Sequence, residues 1–280
     1  MKAIWQLLRL EHGFMYGLGV LAGIYIANPS YDDFTKILFG FLTAVFLQAS
    51  AFALNDYLDY EVDIANKRLD RPLVRGELKR ESALIIAVLL LPFGLVSAFL
   101  ISLNAFLLAT LIVMLGYAYN FKLKEYGVIG NVYIALSMAV PFVFGSIIAV
   151  DSINFGVLLL SLIAFLSGFG REVMKGIEDV EGDSIRNVRS VARVMGLRFA
   201  SILSALLFLL AVLLSFFPLL FIETYRDLKY LIPIAIADCM FVYTVFKLVK
   251  RYEKGYIRSY RKTTLTAMLF GLIGFLLGAF

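Results

Sequence analysis

Nine long apolar runs alternate with shorter polar segments along the 280 residues of the chain. Each run holds roughly 20 mostly apolar residues, which is the length that a helix needs to cross the hydrocarbon core of a bilayer. The apolar residues are continuous rather than alternating, which favours helices over the strands of a membrane barrel. The pattern predicts membrane-spanning helices at 12–28, 36–54, 82–101, 103–120, 128–149, 154–174, 198–221, 229–249 and 264–280.

Composition agrees with this reading. Hydrophobic residues make up 61% of the chain, and the mean hydropathy is +0.87, so the class is a polytopic, all-α membrane protein. The segment before the first run is short, which indicates a retained helix rather than a cleaved signal. The single cysteine, Cys239, excludes an internal disulfide. We expect one intramembrane domain over 1–280, with two long polar loops at 55–81 and 171–197.

The net charge of +5 is explained by topology. All but three of the 26 lysines and arginines fall on one side of the predicted spans, and the exceptions are Lys36, Arg226 and Lys229. Basic loops stay in the cytoplasm, so the N-terminus is predicted to be cytoplasmic and the C-terminus to lie on the opposite side. The basic surplus therefore does not indicate nucleic-acid binding, and the sequence shows no obligatory protein partner.

The second predicted span ends in an acidic cluster, Asn55 to Asp63. A spacing of four brings Asn55, Asp59 and Asp63 towards one face of a helix. Oxygen-bearing side chains in such a column suit a hard divalent cation such as Mg²⁺, and Asp56 is a further candidate ligand. Arg68 and Arg71 follow closely. Acids that hold a metal, with bases nearby, are what a diphosphate substrate needs.

A second acidic segment follows the sixth predicted span, on the same side of the membrane. It contains Asp179 and Asp183 at a spacing of four, and Arg186 and Arg189 follow it. A single acidic segment is usually a solvated surface, but two matching ones favour a shared metal–diphosphate site. Loss of a diphosphate leaves a carbocation, which an aromatic-rich cavity shields from water and stabilises. Aromatic residues make up 15% of this chain.

These segments resemble the signatures of the UbiA family of intramembrane prenyltransferases, over nearly the whole chain. The resemblance implies nine helices in a bundle around a central cavity, and two Mg²⁺ ions that bridge an isoprenoid diphosphate. The segments that carry it are Asn55-Asp56-x-x-Asp59-x-x-x-Asp63 with Arg71-Pro72, Tyr117-x-Tyr119-Asn120-x-Lys122-x-Lys124, and Glu178-Asp179-x-x-Gly182-Asp183.

The resemblance also implies a role for each matching residue. One Mg²⁺ would be bound by Asn55, Asp59 and Asp63, with Asp56 as a helper, and the other by Asp179 and Asp183. The diphosphate would be contacted by Arg71 and Lys122, and Tyr119 would guard the cation or orient the leaving group. Further phosphate contacts, some of them to an acceptor, would come from Arg68, Lys124, Arg186 and Arg189. The catalytic set is then Asp59, Asp63, Lys122 and Tyr119.

Within the family, the run from Arg171 to Asp183 most resembles archaeal members. These transfer a geranylgeranyl group to geranylgeranylglyceryl phosphate, a lipid-phosphate acceptor, and so make the second ether bond of archaeal lipids. The resemblance implies a lipid-embedded enzyme of the cell membrane whose active site opens to the cytoplasm. One departure concerns Gly176, which stands where the second signature usually has an acid.

Other functions remain open at this level. One alternative is prenyl transfer to an aromatic acceptor, as in quinone-forming relatives. The sequence distinguishes the two acceptors poorly, because acceptor choice depends on the shape of the pocket. A transporter is less favoured, since the acids lie in loops on one side rather than in the middle of the membrane. A phosphotransferase acting on CDP-alcohols would need an Asp-Gly-x-x-Ala-Arg motif, which this sequence lacks.

Overall fold

The computed structural model describes residues 2–65, 67–185 and 188–280, with the side chains of 183–185 left out. These residues form α-helices and short turns, without strands. The helices are α1 Lys2–Leu8, α2 Leu10–Ala27, α3 Phe34–Leu58, α4 Tyr60–Ala65, α5 Arg80–Ile101, α6 Leu103–Phe121, α7 Val128–Val150, α8 Phe155–Glu178, α9 Val180–Ile185, α10 Val191–Met195, α11 Leu197–Ser215, α12 Phe217–Phe221, α13 Leu228–Lys250 and α14 Lys254–Gly278. Two 3₁₀ turns lie at Leu123–Tyr126 and Glu223–Arg226.

Eight segments of the described chain are long and apolar enough to cross a membrane. They coincide with the first eight predicted spans, so the prediction of an all-α, multi-pass membrane protein is confirmed. The seventh of these segments is broken at Phe216, between α11 and α12. Pro218 follows directly and lacks the N–H that a continuing helix would need.

The last helix, α14, begins at Lys254, well before the predicted start at 264. Its first turns carry Arg258, Arg261 and Lys262, which a hydropathy pattern assigns to a loop. These turns are nevertheless helical because their apolar residues, Ile257 and Tyr260, are buried against the bundle.

The helices pack into two groups that meet between α2 and α7. The backbones of these two helices touch, because a Cβ on Gly23 would lie 2.1 Å from the carbonyl oxygen of Phe142 and one on Gly145 would lie 2.1 Å from that of Val20. Small residues at such crossings are typical of helix contacts in membranes. The first group joins α3 to α2 and α5, and the second joins α8 to α11 and α13 to α14.

The predicted polar loop at 55–81 is helical in its first part, and the one at 171–197 is largely helical. α3 continues through Asn55 to Leu58, and α8 continues through Arg171 to Glu178. Each long helix is followed, after one residue, by a six-residue helix, α4 or α9. Charged side chains therefore project from ordered helix ends rather than from open loops.

Candidate active site

A cavity of about 1390 Å³ lies between the two groups of helices. Its polar wall is formed by helix ends on one side of the bundle: the C-terminal ends of α3 and α8, the α6–α7 connection and the first turns of α14. The rest of the wall is largely apolar and aromatic, with residues such as Phe142, Leu160, Phe241 and Phe275. An apolar cavity with a charged mouth suits a substrate that has a hydrocarbon tail and a phosphate head.

Asp59, like Glu61 of the same acidic cluster, lines this cavity. It is the single residue between α3 and α4, and its N–H donates to the carbonyl of Asn55 at 2.9 Å. The Nδ2 atom of Asn55 donates to Asp59 Oδ2 at 3.2 Å and to Asn120 Oδ1 at 2.8 Å. The predicted adjacency of Asn55 and Asp59 on one helix face is therefore present.

Asp56 and Asp63 lie behind this wall and are almost fully buried, at 2% and 4% exposed. Arg9 Nη2 donates to Asp56 Oδ1 at 2.7 Å, and Arg71 Nη1 lies 3.1 Å from the same oxygen. Arg71 Nε lies 3.7 Å from Asp63 Oδ2. Arg71 thus reaches both buried acids while its side chain also lines the cavity.

The chemistry of this wall fits Mg²⁺. No three acidic, histidine or cysteine side chains converge into a complete metal cage among the residues that the structure describes. Mg²⁺ is usually held by one or two carboxylates together with water and substrate phosphates, rather than by such a cage. Asp59 and the amide oxygen of Asn55 are donors of this kind. Asp56 Oδ2 is a further buried oxygen, without a hydrogen-bond partner among the described atoms.

Lys124, rather than Lys122, reaches the cavity. Lys124 Nζ contacts Asp59 Oδ1, whereas Lys122 pairs with Glu125 at 2.9 Å and its side chain is 63% exposed. The hydrogen bond with Glu125 raises the pKa of Lys122. The 3₁₀ turn at Leu123–Tyr126 therefore places the second lysine, not the first, at the cavity wall.

The 3₁₀ turn that carries Lys124 is held against the second half of the protein. The N–H of Arg189 donates to the carbonyl of Glu125 at 3.1 Å. Gly127 has φ 46° and approaches so closely that a Cβ would lie 1.9 Å from the carbonyl oxygen of Arg189. Arg189 therefore contributes a backbone contact here, and its side chain is exposed. Arg186, predicted to contact phosphate, lies outside the described residues.

Arg68 lines the cavity beside Arg71. Its guanidinium donates twice to Asp70, from Nε and Nη2, both at 2.9 Å. These hydrogen bonds lower the pKa of Asp70. Arg68, Asp59 and Asp179 all line the same cavity, so both acidic segments contribute to one site.

The second acidic segment supplies Asp179, the single residue between α8 and α9, to the cavity wall. The side chain of Asp183 falls outside the described set. Glu178 pairs with Arg261 at 2.8 Å, so it does not face a metal freely. Gly176 also lines the cavity, and a Cβ there would make an ordinary contact, 3.6 Å from Ser190 Cβ.

Two aromatic rings stand beside the charged wall. Tyr119 and Tyr133 stack with their centroids 4.9 Å apart and their planes at 26°, and both line the cavity. On the far part of the wall, Ser215 Oγ donates to Asp238 Oδ2 at 2.7 Å. Tyr119 thus lies at the cavity wall, and its role beside the cation stays a prediction.

Sequence reasoning missed several residues that the structure brings to the cavity: Arg9, Asn120, Arg171, Lys175 and Arg261. The basic members were interpreted as topological anchors because all of them lie near the ends of helices. Asn120 stood inside a recognised segment but carried no assigned role. The signal that could have identified Asn120 was its position, since it is a polar amide on the last turn of a membrane helix.

The bundle, the cavity and the paired acidic helix ends define a multi-pass helical membrane protein with a charged site at one end of an apolar cavity. The chain belongs to the UbiA prenyltransferase family, whose sequence profile matches residues 17–273.

Individual members of the family are similar to the chain over nearly its whole length. The chain is 55% identical to the digeranylgeranylglyceryl phosphate synthase of Archaeoglobus fulgidus, over 100% of this chain and 96% of that protein. A solved structure of a digeranylgeranylglyceryl phosphate synthase is 31% identical, with a TM-score of 0.83 over 99% of this chain and 98% of the other. A UbiA homolog from Archaeoglobus fulgidus bound to GPP and Mg²⁺ shares the fold, with a TM-score of 0.74, 20% identity and coverage of 99% and 100%.

Proposed function

We propose that the protein transfers a geranylgeranyl group from geranylgeranyl diphosphate to geranylgeranylglyceryl phosphate in a Mg²⁺-dependent reaction. The observation that carries the proposal is the charged mouth, with Asp59, Asp179, Arg71 and Lys124, on a large apolar cavity. The 55% identity over the full chain to a digeranylgeranylglyceryl phosphate synthase supports this acceptor. The product would carry the second ether bond of an archaeal membrane lipid.

The residues at the mouth divide into two roles. Arg68, Arg71 and Lys124 are placed to bind the diphosphate, because charge-assisted hydrogen bonds from these groups are strong and directional. Asn55 and Asp59 would hold one Mg²⁺, and Asp179 with Asp183 would hold a second. Bound Mg²⁺ neutralises charge on the diphosphate and so makes it a better leaving group.

Release of the diphosphate leaves an allylic cation that water must not reach. The stacked rings of Tyr119 and Tyr133 present π-electron density to this region, and ring faces attract cations. The apolar wall beyond them would hold the isoprenoid tails and keep water out. The acceptor hydroxyl would then attack the cation and give its proton to the departing diphosphate, which forms the ether bond.

The arrangement in the membrane is part of the same proposal. The eight apolar segments together with α14 would make nine spans of a single domain. The basic residues would place the N-terminus and the cavity mouth in the cytoplasm. In this orientation the charged mouth faces the cytoplasm, where the water-soluble diphosphate head of the donor is accessible. Accessibility of introduced cysteines at Lys67 and Lys229 to an impermeant thiol reagent tests it, in a Cys239→Ser background.

Purified protein in detergent tests the reaction directly. It is incubated with geranylgeranyl diphosphate, Mg²⁺ and either geranylgeranylglyceryl phosphate or 4-hydroxybenzoate. Product with the glyceryl phosphate, lost on addition of a chelator, supports the proposal. Product with 4-hydroxybenzoate alone would show that the acceptor is aromatic rather than a glyceryl phosphate. An Asp59→Ala variant with unchanged activity would show that this site takes no part in the reaction.

A further inference from the structure

A second basic cluster lines the cavity away from the diphosphate-binding arginines. Arg171 and Lys175 project from α8, and Arg261 projects from the first turns of α14. Arg171 lies two helical turns before Asp179, which places it about 12 Å deeper along the helix axis. Arg171 therefore lies deeper in the cavity than Asp179, whereas Lys175 is one turn from Asp179 and Arg261 pairs with the neighbouring Glu178.

The acids around this cluster leave part of its hydrogen-bonding capacity unused. Glu178 accepts from Arg261 Nη1 at 2.8 Å, and Glu172 accepts from Lys175 at 3.2 Å. Glu172 Oε1 lies 3.9 Å from Arg171 Nη1, beyond hydrogen-bond distance. Three cations thus face two acids, and the excess charge is positive.

The Nε atoms of Arg171 and Arg261 are buried and have no hydrogen-bond partner within the described ranges. The two guanidinium groups also lie within electrostatic range of each other, so they repel. A buried N–H without an acceptor is destabilising and rare in folded proteins. Two such donors beside one cavity, on mutually repelling cations, indicate that an anion completes the site.

We propose that Arg171 and Arg261, assisted by Lys175, bind the phosphate of the lipid acceptor. This inference rests on the proposed function, which requires an acceptor phosphate in the same cavity as the donor diphosphate. Arg68, Arg71 and Lys124 line the charged mouth of the cavity and would bind the diphosphate. A phosphate monoester carries a charge between −1 and −2 near neutral pH and accepts several hydrogen bonds, which matches the two arginine forks.

A merely structural role is the alternative, since the Arg261–Glu178 pair also joins α14 to α8. The two roles differ in what a substitution changes. Substitution of a residue with a purely structural role lowers the activity with both acceptors alike. A phosphate ligand affects the acceptor only, and only when the acceptor carries its phosphate.

The experiment uses the full-length protein in detergent and two acceptors, geranylgeranylglyceryl phosphate and the same lipid without its phosphate. Wild-type protein is expected to prefer the phosphorylated acceptor. Arg171→Gln and Arg261→Gln are each expected to lower kcat/KM for that acceptor by about ten- to a hundredfold. The preference should fall towards one in both variants, while KM for geranylgeranyl diphosphate stays unchanged.

Arg258→Gln is the matched control, because Arg258 is an exposed arginine one turn earlier on α14. It should retain the preference of the wild type. Arg261→Lys keeps a cation near Glu178 but removes Nε, so it tests the inference even if the glutamine variant folds poorly. It is expected to show a reduced preference at normal thermal stability.

Three results would overturn the inference. Equal losses with both acceptors would indicate a structural role, and a raised KM for geranylgeranyl diphosphate would assign the cluster to the donor. Absence of product with the phosphorylated acceptor in the wild type would overturn the proposed function together with the inference. The first two results, obtained with an active wild type, would overturn the inference alone.

Discussion

Asp59 and Asp179 occupy matching backbone positions in the two halves of the protein. Each is the only residue between a long helix and a six-residue helix, with φ −86° and ψ 3° at Asp59 and φ −91° and ψ 3° at Asp179. Each N–H still bonds to the carbonyl four residues earlier, at 2.9 and 3.1 Å. Both side chains line the cavity. The matching geometry shows that the two acidic segments present a carboxylate to the cavity in the same way.

Removal of either junction carboxylate should weaken Mg²⁺ use. We expect Asp59→Asn and Asp179→Asn each to lower kcat by about a hundredfold or more, and to raise the Mg²⁺ concentration for half-maximal activity. The measurement is initial rate against Mg²⁺ concentration at saturating prenyl diphosphate. An unchanged Mg²⁺ curve in both variants would exclude these acids as ligands. Asp227→Asn, at a helix start on the other side of the bundle, is the control.

Asp56 should behave differently from Asp59, although the two are close in sequence. Asp56 is buried and compensates Arg9 and Arg71. Asp56→Asn leaves two cations without their shared carboxylate, and we expect a loss of about 1–3 kcal/mol of stability. Thermal unfolding in detergent measures this loss. A variant with wild-type thermal stability and a raised Mg²⁺ requirement would instead assign Asp56 to the metal.

Lys122 and Lys124 provide a matched pair of substitutions. We expect Lys124→Met to lower kcat/KM for the prenyl diphosphate by about ten- to a hundredfold, because it removes a charge-assisted contact at the cavity wall. Lys122→Met should have little effect, since that side chain is exposed and pairs with Glu125. Steady-state kinetics with varied donor measures both. The reverse order of effects would restore Lys122 as the diphosphate ligand.

The stacked pair of Tyr119 and Tyr133 predicts a product-ratio effect. Tyr119→Phe keeps the ring and should retain most of the transfer activity. Tyr119→Leu removes the ring face, and we expect more of the donor to be captured by water as geranylgeraniol. The ratio of ether product to alcohol, followed by chromatography, is the measurement. Equal ratios in the phenylalanine and leucine variants would show that the ring does not protect the cation.

Substitutions at Gly176 test how Mg²⁺ use depends on the acid that the second signature usually has at this position. A Cβ there meets only ordinary contacts with Ser190, so Gly176→Ala should stabilise α8 by up to about 1 kcal/mol. Gly176→Asp should lower the Mg²⁺ concentration needed for half-maximal activity, because it adds a carboxylate at the cavity wall one turn before Asp179. Thermal unfolding and Mg²⁺ titration measure the two effects. A higher Mg²⁺ requirement in the aspartate variant would contradict the second.

The helices were predictable because a membrane helix needs a long apolar run, which a sequence displays directly. The first eight predicted spans match described helices. The predicted break at Ser102 is also present, and there the N–H of Ala105 donates to Ser102 Oγ at 3.1 Å, which caps the start of α6. The start of α14 at Lys254 was not predictable from hydropathy. Its basic turns are helical because they pack on their neighbours, and that packing does not appear in the local sequence.

The sequence by itself determined the class of protein, the first eight apolar segments and the residues of the two acidic clusters, because these depend on composition and spacing. Only the tertiary structure decided which members meet the cavity. Asp59 faces it while Asp56 is covered by Arg9 and Arg71, and Lys124 reaches it while Lys122 does not. Spacing fixes which helix face a side chain occupies, but neighbouring helices decide whether that face is cavity wall or packed interior.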